Sequence, residues 1–151
     1  MNYRKPEAAQ LVEMLTMILG VDAKASQAPE TAIDGLSHVA LYANDEGVTV
    51  ATCSCALPTA AALGCALSMI PPGGAEGMVE DNELTQVASE NFYEVMNIFS
   101  SLLMDNKSKH LKLTTVETDA GRRLQAEGSE MQAFTLQLGA YGAGELVFDF
   151  T

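Results

Sequence analysis

Positive charge is what this sequence has least of. Of its 151 residues 8 are Lys or Arg and 20 are Asp or Glu, a formal net charge of -12. Nucleic-acid binding depends on basic side chains that neutralise phosphates, so that class of partner is excluded. An anionic membrane surface is excluded on the same ground. An acidic surface suits solubility, or a partner that carries a basic patch.

Other absences narrow the reading further. The opening MNYRKPEAAQ has no apolar signal-peptide core. No run of about 18 apolar residues is present to span a bilayer. Ala56 to Ile70 is apolar-rich but short, and it ends in Pro71-Pro72. The expectation is a cytoplasmic protein with no membrane contact. Cysteine is scarce, with Cys53, Cys55 and Cys65 only, so no disulfide framework exists. Cys53 and Cys55 share one strand face, and neither His38 nor His110 has metal-like spacing to them. Buried structural thiols are expected, and no metal. No phosphate-cradling Gly loop, nucleophile elbow or paired-Cys motif occurs. Gly73-Gly74 and Gly139, Gly142 and Gly144 read as turns and strand ends, and Arg122-Arg123 as an ordinary loop.

What is present is a core. Hydrophobic residues make up 48% of the chain, enough for one domain over residues 1–151. Pro6 to Leu19 reads as a helix ended by Gly20. Val21 to Leu36 reads as a connection with a turn of helix. His38 to Ala43 and Gly47 to Cys55 read as strands joined through Asn44-Asp45-Glu46-Gly47, a hairpin signal. Leu57 to Met69 predicts a helix, which Pro71-Pro72-Gly73-Gly74 breaks. Asp81 to Met104 predicts the longest helix, with Asp81 as its cap. Leu111–Thr118, Gln132–Tyr141 and Glu145–Phe150 predict strands, separated by a polar loop over Asp119–Glu130. Alternation turns Leu111, Leu113, Phe134, Leu136, Leu138, Leu146, Phe148 and Phe150 inward. Helices grouped on a mainly antiparallel sheet make an α+β domain.

The long helix is strongly two-sided. Ala88, Phe92, Val95, Met96, Phe99, Leu102 and Leu103 fall on one face. Opposite them Glu90, Glu94, Asn97 and Ser101 form a narrow stripe at spacings of four, three and four. Glu94 and Asn97 point the same way, one turn apart. A carboxylate there can take a cationic group, and a carboxamide can both donate to and accept from water. Polar residues on an outer helix face are the rule, so the stripe alone decides nothing. The first helix repeats the frame: Glu13 aligns with Glu94, Thr16 with Asn97 and Gly20 with Ser101, with apolar positions in step. This is a degenerate internal repeat, one helix per half.

Glu94-Val95-Met96-Asn97 on an outward helix, in a two-helix repeat over an antiparallel sheet, resembles the CheC/CheX chemotaxis phosphatases. Ser89 to Ile98 is similar to that family's central helix, and Ala66 to Pro72 to the segment preceding it. The resemblance implies a pseudo-symmetric α+β domain that acts as a phosphatase. It would hydrolyse the phospho-Asp of a phosphorylated, CheY-like receiver domain in two-component signalling. It implies that Glu94 binds a Lys of that partner and that Asn97 positions the attacking water. It implies no cofactor of the chain's own, with Mg2+ supplied by the phosphorylated partner. The sequence departs from the pattern in Glu90, where the family has Asp or Ser, and in Ser101, where Gly is frequent. A Pro frequent in the family is missing near Ala120. Thr16 in place of Asn implies that the first copy is inactive. The alternative is a non-catalytic module of the same fold that binds a receiver or a flagellar-switch protein. A homodimer stays open.

Overall fold

The computed structural model describes residues 5–28, 35–105, 108–118 and 130–150. Helix α1 spans Ala8–Leu19. It opens on a reciprocal cap: the Glu7 side chain takes a backbone N–H of the first turn, and Gln10 takes that of Glu7. Gly20, left-handed at φ 68°, closes it with its N–H on the Thr16 carbonyl. Leu11, Leu15 and Leu19, four apart, form its buried edge.

Strand β1, Ala23–Gln27, occupies part of the segment read as a connection. That expectation is corrected. Its sequence AKASQ has almost no strand preference. It is a strand because β5 supplies hydrogen-bonding partners from Ala23↔Leu138 to Gln27↔Phe134. The hairpin β2 (His38–Ala43) and β3 (Thr49–Cys55) forms as the sequence predicts. Asn44 Oδ1 accepts the N–H groups of Glu46 and Val48, both at 3.0 Å, and Gly47 takes φ 79°.

Helix α2, Leu57–Leu67, ends in a six-to-one closing turn in which Ile70 N–H reaches the Cys65 carbonyl. Pro71-Pro72-Gly73-Gly74 then does more than break a helix. Pro72 is the first residue of a further helix, α3, Pro72–Asp81. Proline suits that position because its missing N–H would have had no partner there. Gly73 and Gly74 therefore lie in a helix, not in a turn. Ala75 and Met78 hold α3 against Ala61, Cys65 and Ala88, packing that local glycine content does not announce. Asp81 closes α3 and caps nothing. Thr85 is the cap of α4, Gln86–Phe99, its hydroxyl accepting Ala88 N–H at 3.2 Å. A 3₁₀ turn, Ser100–Leu103, follows. The single long helix expected over Asp81–Met104 is thus divided among α3, α4 and this turn.

Strands β4 (Lys112–Glu117), β5 (Glu130–Leu138) and β6 (Ala143–Phe150) complete a six-stranded sheet in the order β1-β5-β6-β3-β2-β4. All neighbouring pairs are antiparallel. Exchanging β1 with β4, β2 with β5 and β3 with β6 gives the same order read from the opposite edge, with every neighbour kept. That is the signature of a two-fold pseudo-repeat, each half running helix then three strands. Helix α1 packs on β1 as α4 packs on β4. The frames agree in detail: Leu11 and Phe92 are buried, as are Leu15 and Met96, while Glu13, Glu94, Thr16 and Asn97 are exposed.

One sheet face carries the main core, where Phe134, Leu136, Leu138, Leu146, Phe148 and Phe150 meet the apolar edges of α1, α2 and α4. These are the inward residues that alternation selects. All three cysteines are buried thiols. Burial pushes the thiols of Cys53 and Cys55 up, Cys53 further through its neighbour Cys55, and that of Cys65 as well, so they stay protonated. On the other face Leu36 packs with Ala133 and Val147. Most of the loop predicted over Asp119–Glu130, with Arg122 and Arg123, lies outside the described residues; Glu130 itself begins β5. Among the described residues no helix is long and apolar enough to cross a membrane.

Candidate functional site

Helix α4 is fixed along its inner side, which leaves its outer side free to present chemistry. Ala88, Phe92, Val95, Met96 and Phe99 are all buried. Gly64 brings α2 against the Ala88 backbone. Asn91 Nδ2 bridges to the Gly64 carbonyl at 2.9 Å and the Ser68 hydroxyl at 2.6 Å. Glu90, Glu94, Asn97 and Ser101 are exposed, as the helical spacing predicts.

The stripe is not uniform. Glu90 accepts from Gln86 Nε2 at 3.2 Å. The Ser101 hydroxyl turns back to the Ile98 carbonyl at 2.9 Å. Between them, the side chains of Glu94 and Asn97 have no hydrogen-bond or ion-pair partner among the described residues. Unengaged groups on a rigid helix are able to meet an incoming surface without first breaking internal bonds.

The backbone under Asn97 is held by a residue that sequence reasoning missed. Tyr42 of β2 is fully buried, and its hydroxyl donates to the Met96 carbonyl at 2.6 Å. That carbonyl is available because the helix tightens here: Ser100 N–H bonds to Asn97, three residues back. Burial, with Cys53 alongside, raises the Tyr42 pKa well above the usual phenol value, so the donor proton stays in place. A tyrosine among inward strand positions was the available signal, since a buried hydroxyl needs a partner.

The first-half copy is built differently. Glu13 and Thr16 are exposed on α1 as Glu94 and Asn97 are on α4. Thr16 offers a hydroxyl where Asn97 offers an amide. A shallow hollow of about 280 Å³ lies between α1 and the 3₁₀ turn, lined in part by Glu13, Met14, Met17 and Leu102. A separate hollow of about 410 Å³ lies away from the stripe, where His38 meets Asn82, Glu83 and Ser89. His38 stacks edge-on against Phe92, with ring centroids 5.9 Å apart, and burial lowers its pKa. Among the described residues no group of three or more His, Cys, Asp or Glu side chains is placed to hold a metal ion.

In sequence, no protein-family profile matches the chain, and no curated protein matches it. In structure, Thermotoga maritima FliY is similar at 14% identity and TM-score 0.64, covering 93% of this chain and 81% of that one. FliM in the FliG–FliM complex of H. pylori is similar at 9% identity and TM-score 0.56, covering 95% and 85%. CheX of Borrelia burgdorferi, solved with CheY, BeF3 and Mg2+, aligns over 97% of this chain and 98% of that one at 15% identity and TM-score 0.43. The FliY and FliM likenesses, with the exchange-invariant strand order, show the architecture: the chain has the α+β, pseudo-symmetric CheC/CheX/FliM-like fold.

Proposed function

We propose that this protein hydrolyses the phospho-Asp of a phosphorylated receiver domain in chemotaxis or related two-component signalling. The observation that carries the reading is the unengaged, exposed pair Glu94 and Asn97, one turn apart on a helix fixed along its opposite side. Glu94 offers its carboxylate to a Lys on the receiver. Asn97 offers an amide that accepts from and donates to one water, aligning it in line with the phosphoryl group. For phosphoryl transfer, positioning supplies most of the catalysis, so a carboxamide on a rigid turn suffices on this side. Mg2+ would be supplied by the phosphorylated partner, where it would offset phosphate charge, so this chain's own contribution is the placement of Glu94 and Asn97.

The test is phosphate release from a panel of phosphorylated receivers at matched Mg2+. Asn97→Ala lowers turnover by about a hundred- to a thousandfold, the loss of about 2.7–4 kcal/mol from one aligned donor. Docking survives, because the amide acts on the water and not on the partner. Glu94→Lys weakens docking as well. Both variants stay folded within about 0.5 kcal/mol, as exposed helix positions do. If wild type and Asn97→Ala release phosphate alike from every receiver that binds, catalysis is rejected.

A second reading, docking without hydrolysis, is favoured by the likeness to a FliM solved in complex with FliG. The departures at Glu90 and Ser101 also favour it. It expects binding of a receiver or switch protein with no acceleration of phosphate release.

A further inference from the structure

The distribution of charge is more extreme than its total. From Ala25 through Asn106 the sequence contains no Lys or Arg. Every helix lies in this stretch or, as α1 does, carries no basic residue of its own. The acidic residues of the helices are Glu13 on α1, Glu76, Glu80 and Asp81 on α3, and Glu90 and Glu94 on α4, all exposed. Lys24 and Lys112 sit on β1 and β4, opposite Gln137 and Ala43. By strand alternation both point to the sheet face away from the helices. Among the described residues the helices themselves therefore carry acidic and no basic side chains; Lys5, paired with Glu130, precedes α1 and the exposed Lys109 follows the 3₁₀ turn.

The same layer exposes apolar side chains. Met17, Met69, Val79, Val87 and Tyr93 lie on the helices or the turn after α2, against Val48 elsewhere among the described residues. Met17 is 74% exposed and borders the hollow between α1 and the 3₁₀ turn. Met14 and Leu102 give the hollow apolar walls, and Glu13 puts a carboxylate on its rim. Ser101, at the end of the Glu94–Asn97 stripe, also lines it, so hollow and stripe are continuous. Methionine adapts its shape to what it receives and is enriched at the centres of interfaces.

We infer that the helical layer is a protein-docking face, and that the hollow between α1 and the 3₁₀ turn receives one apolar side chain of the partner flanked by Lys or Arg. Charge complementarity selects the occupant. A second copy would bring an equally anionic face and be repelled. A lipid surface rich in anionic headgroups is repelled likewise. A basic protein surface is attracted at long range, and the apolar side chain then fixes its register on the layer. The inference goes beyond the phosphatase reading and holds whether or not the docked partner is dephosphorylated.

The experiment labels the methionine methyls of the full chain with 13C and titrates it with two peptides. One is Lys-Lys-Leu-Lys-Lys, blocked at both ends; the other replaces Leu with Gly. The expected result is a saturable shift of the Met14 and Met17 methyls by the Leu peptide. Affinity should be at least about fivefold weaker for the Gly peptide, and about as much weaker for Met17→Ala, since a central apolar contact is what each removes. Raising salt should weaken both peptides. Equal binding of the two peptides, or no effect of Met17→Ala, overturns the inference. So does a dimer in light scattering whose formation itself shifts these methyls. A receiver from the phosphatase panel separates the two readings. Weakened binding to Met17→Ala with unchanged turnover of the bound complex supports the docking face. Binding with no phosphate release rejects hydrolysis alone.

Discussion

Gly64→Ala is a substitution on which local and tertiary reasoning give opposite signs. In a helix interior Ala is favoured over Gly by about 1 kcal/mol, so α2 considered alone should gain. The packing reverses this. A Cβ at residue 64 would lie 2.5 Å from the Ala88 carbonyl oxygen, 3.1 Å from its carbon and 3.2 Å from its Cα. All three are backbone atoms of α4, so no rotamer change relieves the clash. The helices must separate by roughly 0.9 Å, the difference between 2.5 Å and an ordinary 3.4 Å contact. Overpacking of this kind costs about 1–3 kcal/mol. Separation also stretches the 2.9 Å bond from Asn91 Nδ2 to the Gly64 carbonyl, worth about 1 kcal/mol. Set against the propensity gain, the net expectation is a loss of about 1–3 kcal/mol. The control is Gly77→Ala in α3, where nothing lies within 4 Å of the added carbon. That variant should gain up to about 1 kcal/mol. Urea unfolding followed by circular dichroism measures both. If the two variants shift stability in the same direction, the close approach of α2 and α4 is wrong, and with it the account of how Asn97 is held.

Tyr42→Phe should cost about 1–3 kcal/mol in the same assay, because it leaves the buried Met96 carbonyl without its donor. It should also move the amide signals of Asn97 and Ser100 in an NMR spectrum; an unchanged spectrum at those residues would remove Tyr42 from the site. His38 adds a pH dependence of known sign. Its folded pKa lies below the ordinary value of about 6.5, so the unfolded chain binds the proton more readily. Stability from this residue is then complete above about pH 6.5 and falls as pH drops toward the lowered folded value. The difference between wild type and His38→Gln across that window isolates the effect, and a flat difference would refute it.

The sequence determined more of the candidate site's placement than of its support. The Glu94–Asn97 stripe was legible because helical period alone places residues on faces. Exposure of Glu94 and Asn97 follows from the burial of Phe92, Val95, Met96 and Phe99. Inward residues of β5 and β6 were legible for the same reason, at period two. The repeat was legible because both halves keep one frame of apolar positions. What tertiary structure decided has no local period. β1 is a strand because β5 bonds to it. The helix α3 exists because Ala75 and Met78 find Ala61, Cys65 and Ala88, against the bias of three glycines. Tyr42 reaches Met96 across 54 residues of chain. The hollow beside Met17 is shared by α1 and the 3₁₀ turn, which are distant in sequence. Periodicity reports which side of an element faces inward; only packing decides which element it meets, and therefore which polar groups are held and which stay free.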